Sequence, residues 1–256
     1  MRVCELEGYF DELLPRAMSC EWDNDGLMVS GDSSKEVKSA LLTLDLTEQA
    51  IDKAIETGVD AVITHHPFVF RAISSITDKD ARTRLMIKLI EHKISVYSYH
   101  TKLDAARGGV NDILCEIIGL SEATPLGPGE LSMARIGNVE DIDIDKFAAI
   151  IKEKLACPVL TLAKAQQGPN NVRRVAVLGG ACDKDTINAA KDAGADVLVS
   201  GDVSYNNVID ANIDGLHIIC AGHYFSEKPV LRWFEQKLNE KGIETYSFDC
   251  GYFEYI

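Results

Sequence analysis

The sequence predicts an α/β protein built from two similar, interlinked units. Each is a mixed or parallel sheet covered by helices, and a metal site is expected between them. Three observations carry this reading. A segment that ends a helix, turns at Gly-Asp and enters a short apolar strand occurs twice, Ala54–Thr64 and Ala190–Ser200, at a constant offset (190 − 54 = 136). Each copy lies between two further apolar runs, as strands buried on both faces require. Residues able to ligate a metal gather where these runs end, which is where open α/β sheets bind their ligands.

The elements follow in order. Ala40–Asp45 and Val175–Gly180 read as the first strand of each repeat. Thr47, and Asp183 or Asp185, are N-cap types ahead of amphipathic helical stretches. Gly58 and Gly194 suit the left-handed residue that closes a helix. Ile94–Tyr99 and Leu216–Cys220 read as the next strands. Their offset is smaller (223 − 100 = 123 at the following histidines), so the first repeat holds 13 more residues (136 − 123 = 13). The extra length maps to Phe68–Lys79, a lid or contact loop. Gly119–Ala134, with Pro125, Gly127 and Pro128, is the expected crossing between units. Asp141–Ala156 reads as an amphipathic helix and Thr245–Phe253 as a strand returning to the sheet. The expected division is 1–125 and 126–256, with the C-terminal segment rejoining the first unit.

Composition narrows the function. The 256 residues are 46% hydrophobic and 26% charged, ordinary for a globular protein with a sizeable core. No apolar run is long enough to span a membrane. Met1–Glu7 lacks the basic and apolar pattern of a secretion signal. A net charge of −14 disfavours nucleic acid, which is held largely by Lys and Arg. It leaves room for a small anionic or nucleotide-like substrate at a metal, because the metal brings positive charge. Seven cysteines are scattered without a CxxC, which fits free thiols in a reducing cytoplasm.

The strand ends carry the chemistry. Thr64-His65-His66-Pro67 and His100-Thr101-Lys102-Leu103-Asp104 form one half-site; Ser200-Gly201-Asp202 and His223-Tyr224-Phe225-Ser226-Glu227 form the other. On a continuing strand His65 and His66 would face opposite ways, but Pro67 ends the ladder and lets both imidazoles serve one site. Asp104 is either a carboxylate ligand or the cap of a helix over Val110–Ile118. His223 and Glu227 share a helical face if Gly222 ends the strand. His65, His66, Asp104, His223 and Glu227 are too many for one catalytic zinc with an open position. They suit two divalent ions roughly 3.5–4 Å apart, and imidazole with carboxylate accepts zinc, iron, manganese, cobalt or nickel alike. His100 is a ligand or an orienting and proton-accepting group. Asp202 is a ligand, an acceptor behind a ligand, or a turn residue; His100 and Asp202 are therefore the catalytic candidates. Trp22, Asp23 and Asn24 either form a turn-rich loop or line a pocket and contact the substrate. His92 and His217 read as structural.

In combination these motifs resemble the NIF-three-like dinuclear metal-binding family, whose members are often described as GTP cyclohydrolase 1 type 2 homologues. The matching segments are Trp22-Asp23-Asn24 with Gly26-Leu27, Thr64–Pro67, His100-Thr101 with Leu103-Asp104, Gly108–Asp112, Gly201-Asp202 with Tyr205, and Gly222–Tyr224 with Ser226-Glu227. The resemblance implies that His65, His66, Asp104, His223 and Glu227 hold the metals. It also implies ring-like homohexamers and purine ring-opening hydrolysis of GTP, in which C8 of the guanine is attacked and formate leaves. Longer members carry an inserted domain for which this chain has no room. Asn206 stands where the family pattern commonly has His.

Overall fold

The computed structural model describes residues 1–249. The chain forms two compact units, one comprising Met1–Leu103 with the segment from Val230 and the other Asp104–Pro229. The sequence reading places its division at 125/126. Cys250 and the last residues of the expected strand Thr245–Phe253 lie outside the described residues.

In chain order, the first unit contains α1 (Val3–Leu13), β1 (Gly26–Val29), β2 (Ser39–Thr43), α2 (Glu48–Thr57), β3 (Ala61–Thr64), α3 (Ala81–Glu91) and β4 (Ser95–Ser98). After α4 (Thr101–Ala105) the second contains α5 (Val110–Ile118), β5 (Ser121–Pro125), β6 (Arg135–Asp143), α6 (Ile144–Lys154), β7 (Thr161–Ala163), β8 (Asn171–Cys182), α7 (Lys184–Asp192), β9 (Val197–Val203), α8 (Tyr205–Ile213), β10 (His217–Cys220) and α9 (His223–Glu227). The chain then returns to the first unit with α10 (Leu231–Asn239) and β11 (Glu244–Ser247).

The first sheet runs β1-β4-β3-β2-β11. β2, β3 and β4 are parallel, as is β11 beside β2, while β1 is antiparallel at the other edge. Leu41, Val62 and Val96 cover one face with Ile51 and Ala54 of α2 and Met86 and Leu89 of α3. α2 starts at Thr47, whose side chain accepts from Ala50 N, and stops at Gly58 with φ 72°. Phe10 of α1, Tyr99 and Phe234 of α10 form an aromatic cluster with centroids 4.6–6.2 Å apart. Each is fully buried, and burial of a side chain of this size stabilises by about 1.5–3 kcal/mol.

The second sheet runs β5-β6-β8-β9-β10-β7. Its three central strands β8, β9 and β10 are parallel and β7 is an antiparallel edge beside β10. The repeat is therefore legible in hydrogen bonding as well as in sequence. Ala40 faces Ala61 across β2 and β3, and Val175 faces Val197 across β8 and β9 (175 − 40 = 135; 197 − 61 = 136). α7 starts at Asp183, which accepts from Thr186 N.

Three expectations change. Gly119–Ala134, expected as the crossing between units, holds β5, paired antiparallel with β6 in the second sheet. The helix expected over Asp141–Ala156 is Ile144–Lys154 because Asp143 caps it, accepting from Asp145 N and Lys146 N, while Ile142 and Asp143 still pair with β8. The strand expected to end at Ser200 continues through Gly201 and Asp202 to Val203. Of the two readings of Asp104, the structure does not show the cap: Gly109 occupies that position before Val110–Ile118 and Asp104 lies in α4.

Candidate metal-binding residues

β3 ends at Thr64, so the alternation of side chains ends there too. Thr64 Oγ1 donates to His66 O at 2.8 Å, and His66 N donates to Leu44 O. This closes the turn before Pro67 and brings both imidazoles together. The ring centroids of His65, His66 and His100 are 5.1–5.6 Å apart pairwise. Each of the three offers a ring nitrogen within 4.8 Å of the others, a spacing that could hold one ion. His65 is fully buried.

In the second unit, Gly222 with φ 88° turns the chain from β10 into α9. One turn of that helix puts His223 Nε2 3.2 Å from Glu227 Oε2. Glu227 and Asp104, both buried, offer carboxylate oxygens within 4.8 Å of each other. Glycines make this possible. A Cβ on Gly180 (φ 68°) would sit 2.1 Å from Glu227 Oε1, and one on Gly201 would sit 2.8 Å from His223 Cα. Ser226 Oγ accepts from Gly180 N at 3.0 Å and donates to His223 O at 2.8 Å, tying the helix to the strand end.

The anchoring of the imidazoles tests whether these residues fit a metal. His65 Nδ1 lies 3.0 Å from Tyr99 O. A carbonyl only accepts, so that nitrogen carries the proton and Nε2 keeps the lone pair. His66 Nδ1 meets Asp45 Oδ1 at 2.8 Å, His100 Nδ1 meets Asp23 Oδ1 at 3.0 Å, and His223 Nδ1 meets Asp202 Oδ2 at 2.8 Å. All four therefore leave Nε2 as the ring atom that could accept a metal or a proton, and an acceptor behind the distal nitrogen is the usual support of a metal-bound histidine. His217 is the contrast: Nδ1 accepts from Ala165 N at 3.0 Å and Nε2 donates to Pro169 O at 2.8 Å, a structural bridge. His92 is also structural, at the C-cap of α3 with Nδ1 on Lys88 O. The donor set thus fits divalent first-row metals.

The expected substrate residues take different places. Asp23 is buried and gathers the His100 ring, Thr101 N at 3.0 Å and Thr101 Oγ1 at 2.6 Å. Burial alone would raise its carboxyl, but the hydrogen bonds from His100 and Thr101 prevail and hold it well below the usual carboxylate range. Asp23 thus orients His100. Asp25 accepts from His100 N, and burial pushes its carboxyl up. Asn24 Nδ2 donates to Val69 O, tethering the loop after Phe68. Trp22 is 54% exposed, edge-to-face with Phe70 at 6.1 Å and with His100 at 6.2 Å. Asp202 holds His223 from within β9. Asp45 was missed: a lone acid after a strand carries no pattern, and only its register opposite His66 marks it.

The chain matches the family model described as Duf34/NIF3 (NGG1p interacting factor 3) over residues 1–253. It is 34% identical to a Clostridium perfringens protein named GTP cyclohydrolase 1 type 2 homolog, over 94% of this chain and 92% of that protein. The reduced HcgD structure from Methanocaldococcus jannaschii is 30% identical, with a TM-score of 0.85 over 97% of this chain and 98% of that one. A crystal structure of Staphylococcus aureus SA1388 is 25% identical with a TM-score of 0.88, covering 100% and 99%. Among the described residues no helix is long and apolar enough to cross a membrane.

Proposed function

Because the chain belongs to the Duf34/NIF3 family, we propose that it is a dinuclear metal-dependent hydrolase. His65 and His66 of the first unit, and Asp104, His223 and Glu227 of the second, hold two divalent ions. The observation that carries this reading is the common tautomer of the four anchored imidazoles, each with an acceptor on Nδ1. When bound, the ions supply Lewis-acid activation of water and of a carbonyl or phosphoryl oxygen. His100, held by Asp23, takes up and returns a proton at Nε2. Asp202 keeps His223 in its ligating tautomer. Trp22 and Asn24 face the substrate, with the exposed indole offering a planar base a surface to stack on.

The substrate reading is ring-opening hydrolysis of GTP, which the sequence resemblance implies; the Clostridium perfringens relative is named GTP cyclohydrolase 1 type 2 homolog. The test is turnover by metal-loaded protein against GTP, a panel of phosphoesters and a panel of cyclic amides, with formate as the readout for GTP. His65→Ala should abolish turnover with the fold retained. A second reading, metal retention or regulation without turnover, is favoured by the burial of His65, Asp104 and Glu227. Two bound metals per chain without hydrolysis of any panel member would decide for it. Assembly into a ring-shaped homohexamer belongs to the same proposal and is read by native mass spectrometry; a monomer at micromolar concentration counts against it. A cytoplasmic location, consistent with the free cysteines, completes it.

A further inference from the structure

Arg135, the first residue of β6, is 3% exposed, and its guanidinium is spent on backbone carbonyls and one acid. Nε donates to Asp112 Oδ1, and Nη1 donates to Ser132 O and to Met133 O at 2.9 Å. Nη2 reaches away from its own strand, to Ala105 O at 3.2 Å and Ala106 O at 3.4 Å. Those carbonyls belong to the two residues directly after Asp104. The other oxygen of Asp112 accepts from Gly108 N at 2.7 Å, where the chain turns with φ 69°. From the far side, Asn111 Nδ2 donates to Asp104 O at 3.2 Å while its Oδ1 accepts from Gly179 N at 2.7 Å.

We propose that Arg135 is a positioning residue for the carboxylate of Asp104. The 104–109 segment leaves the end of α4 with no strand to register it; besides the backbone bond from Gly109 N to Ala106 O at 3.1 Å, it is held by side chains. One planar fork holds the carbonyls that follow Asp104, and through Asp112 the same fork holds Gly108. Asn111 then ties Asp104 itself to β8. Only arginine supplies enough donors in one rigid plane; lysine keeps the charge and loses the geometry. The sheet alone does not require this, since an apolar residue would fill the first position of β6. The inference rests on the proposed metal reading for its function and on the hydrogen bonds above for its structure.

The experiment pairs two readouts on the full chain. Chelator competition for Zn²⁺ compares the wild type with Arg135→Lys, Asp112→Asn, Asp104→Asn and the double variants on Asp104→Asn. Arg135→Lys should weaken Zn²⁺ binding about tenfold or more, and should change it less than twofold once Asp104 is Asn. Equal losses in both backgrounds, or no loss in the wild-type background, would overturn the proposal. Hydrogen exchange on the chelated protein is the second readout: amides of residues 104–109 should exchange faster in Arg135→Lys, with β8 and β9 unchanged. Unaltered exchange there overturns the positioning role whatever the metal does. If Arg135→Lys does not fold, Asp112→Asn, which removes the ionic partner from a partly exposed site, carries both measurements. Should wild-type protein bind no Zn²⁺ while exchange at 104–109 still rises, the metal reading falls and the hold of Arg135 on the turn stands.

Discussion

The two sheets share a plan and end differently. Beyond β3 the first unit carries His65 and His66; at the matching register of β9 the second carries Gly201 and Asp202 (65 + 136 = 201; 66 + 136 = 202). Beyond β2 stands Asp45, and at its match in β8 stands Gly180 (45 + 135 = 180). The first unit presents imidazoles straight from the strand end and supports them from neighbouring loops. The second clears its strand ends of side chains so that α9 can lie on them and bring in His223 and Glu227. Donor geometry in the first half is set by the chain's exit from the sheet, and in the second by the close approach of a helix. The glycines at the strand ends of the second unit thus matter to the placement of His223 and Glu227 as the strand-end turn of the first matters to His65 and His66.

The largest effect should come from spoiling that approach. A Cβ on Gly201 would stand 2.6 Å from Gly180 O and 2.8 Å from His223 Cα, both backbone atoms that cannot swing aside. Gly201→Ala should destabilise the protein by about 3 kcal/mol, the upper range for overpacking a tight core, read as a lowered urea midpoint. Gly180→Ala meets mainly the end of the Glu227 side chain but also puts a side chain on φ 68°, so it should cost about 1 kcal/mol of stability as well as metal affinity. A Gly201→Ala protein as stable as wild type would erase the distinction between the two strand ends.

Next come the carboxylates behind the imidazoles, where the units can be compared directly. Asp45→Asn and Asp202→Asn should each weaken divalent-metal binding by about 10–100-fold, measured by chelator competition, whereas Asp23→Asn, behind His100, should act on turnover instead. Exposure sets the order. The Asp23 side chain is 0% exposed, that of Asp45 48% and that of Asp202 60%, so water replaces the lost acceptor most readily at Asp202. Asp23→Asn alone should also lower metal-free stability, by about 1–3 kcal/mol, because its buried partners on Thr101 are disturbed. Equal losses at Asp45 and Asp202 would mean that exposure plays no part in holding these rings.

Cysteine reactivity probes packing within each unit. In the first unit Cys4 is exposed and Cys20 buried; in the second Cys115, Cys157 and Cys182 are buried. Burial pushes the Cys115 thiol up to about 12, leaving about one thiolate in ten thousand at pH 8. Mass mapping after brief iodoacetamide treatment should find Cys4 modified and Cys115 and Cys182 intact. Modification of Cys115 at a comparable rate would show that the second unit opens readily.

The fold was readable because the helix–Gly–Asp–strand signal recurs with caps that act locally: Thr47, Gly58 and Asp183 do what their types predict. The clustered histidines and acids stood out because His-His-Pro and His-x-x-x-Glu follow directly on apolar runs. What sequence hid was mostly partnership. Asp23 looked like a pocket residue because a buried acid and an exposed one share a letter; its bonds to His100 and Thr101 span 77 and 78 residues. Asp45 and Arg135 are single charged residues whose meaning lies in register. β5 was taken for connection because Ser121–Pro125 is exposed throughout, so no apolar alternation marks it and Pro125 argues against a strand. β9 overran its apolar stretch because its last pairings, Ala181 with Asp202 and Cys182 with Val203, need no buried side chain on Asp202.

The smallest predicted effect concerns a bracket that both units share. Asp60 Oδ2 accepts from Lys38 N at 2.9 Å and Ser39 N at 3.3 Å. Asp196 Oδ2 accepts from Arg173 N at 2.8 Å and Arg174 N at 2.9 Å, the matching amides (38 + 135 = 173; 39 + 135 = 174). Asp60 adds an ion pair to Lys35 Nζ at 3.0 Å. Burial raises its carboxyl, but the Lys38 amide and Lys35 prevail and leave it below the usual range. A native pKa below the unfolded one means stabilisation that is complete above the unfolded value, about 4, and is lost as pH falls through the native value. Asp60→Asn should therefore cost on the order of 1 kcal/mol at pH 7, and the gap to wild type should close below about pH 4 as Asp60 takes up its proton. Asp196→Asn should cost less, and roughly 0.5 M salt should narrow the difference between the two variants by screening the lysine. If that difference survives both acid and salt, the lysine contributes nothing and the two brackets differ for some reason other than charge.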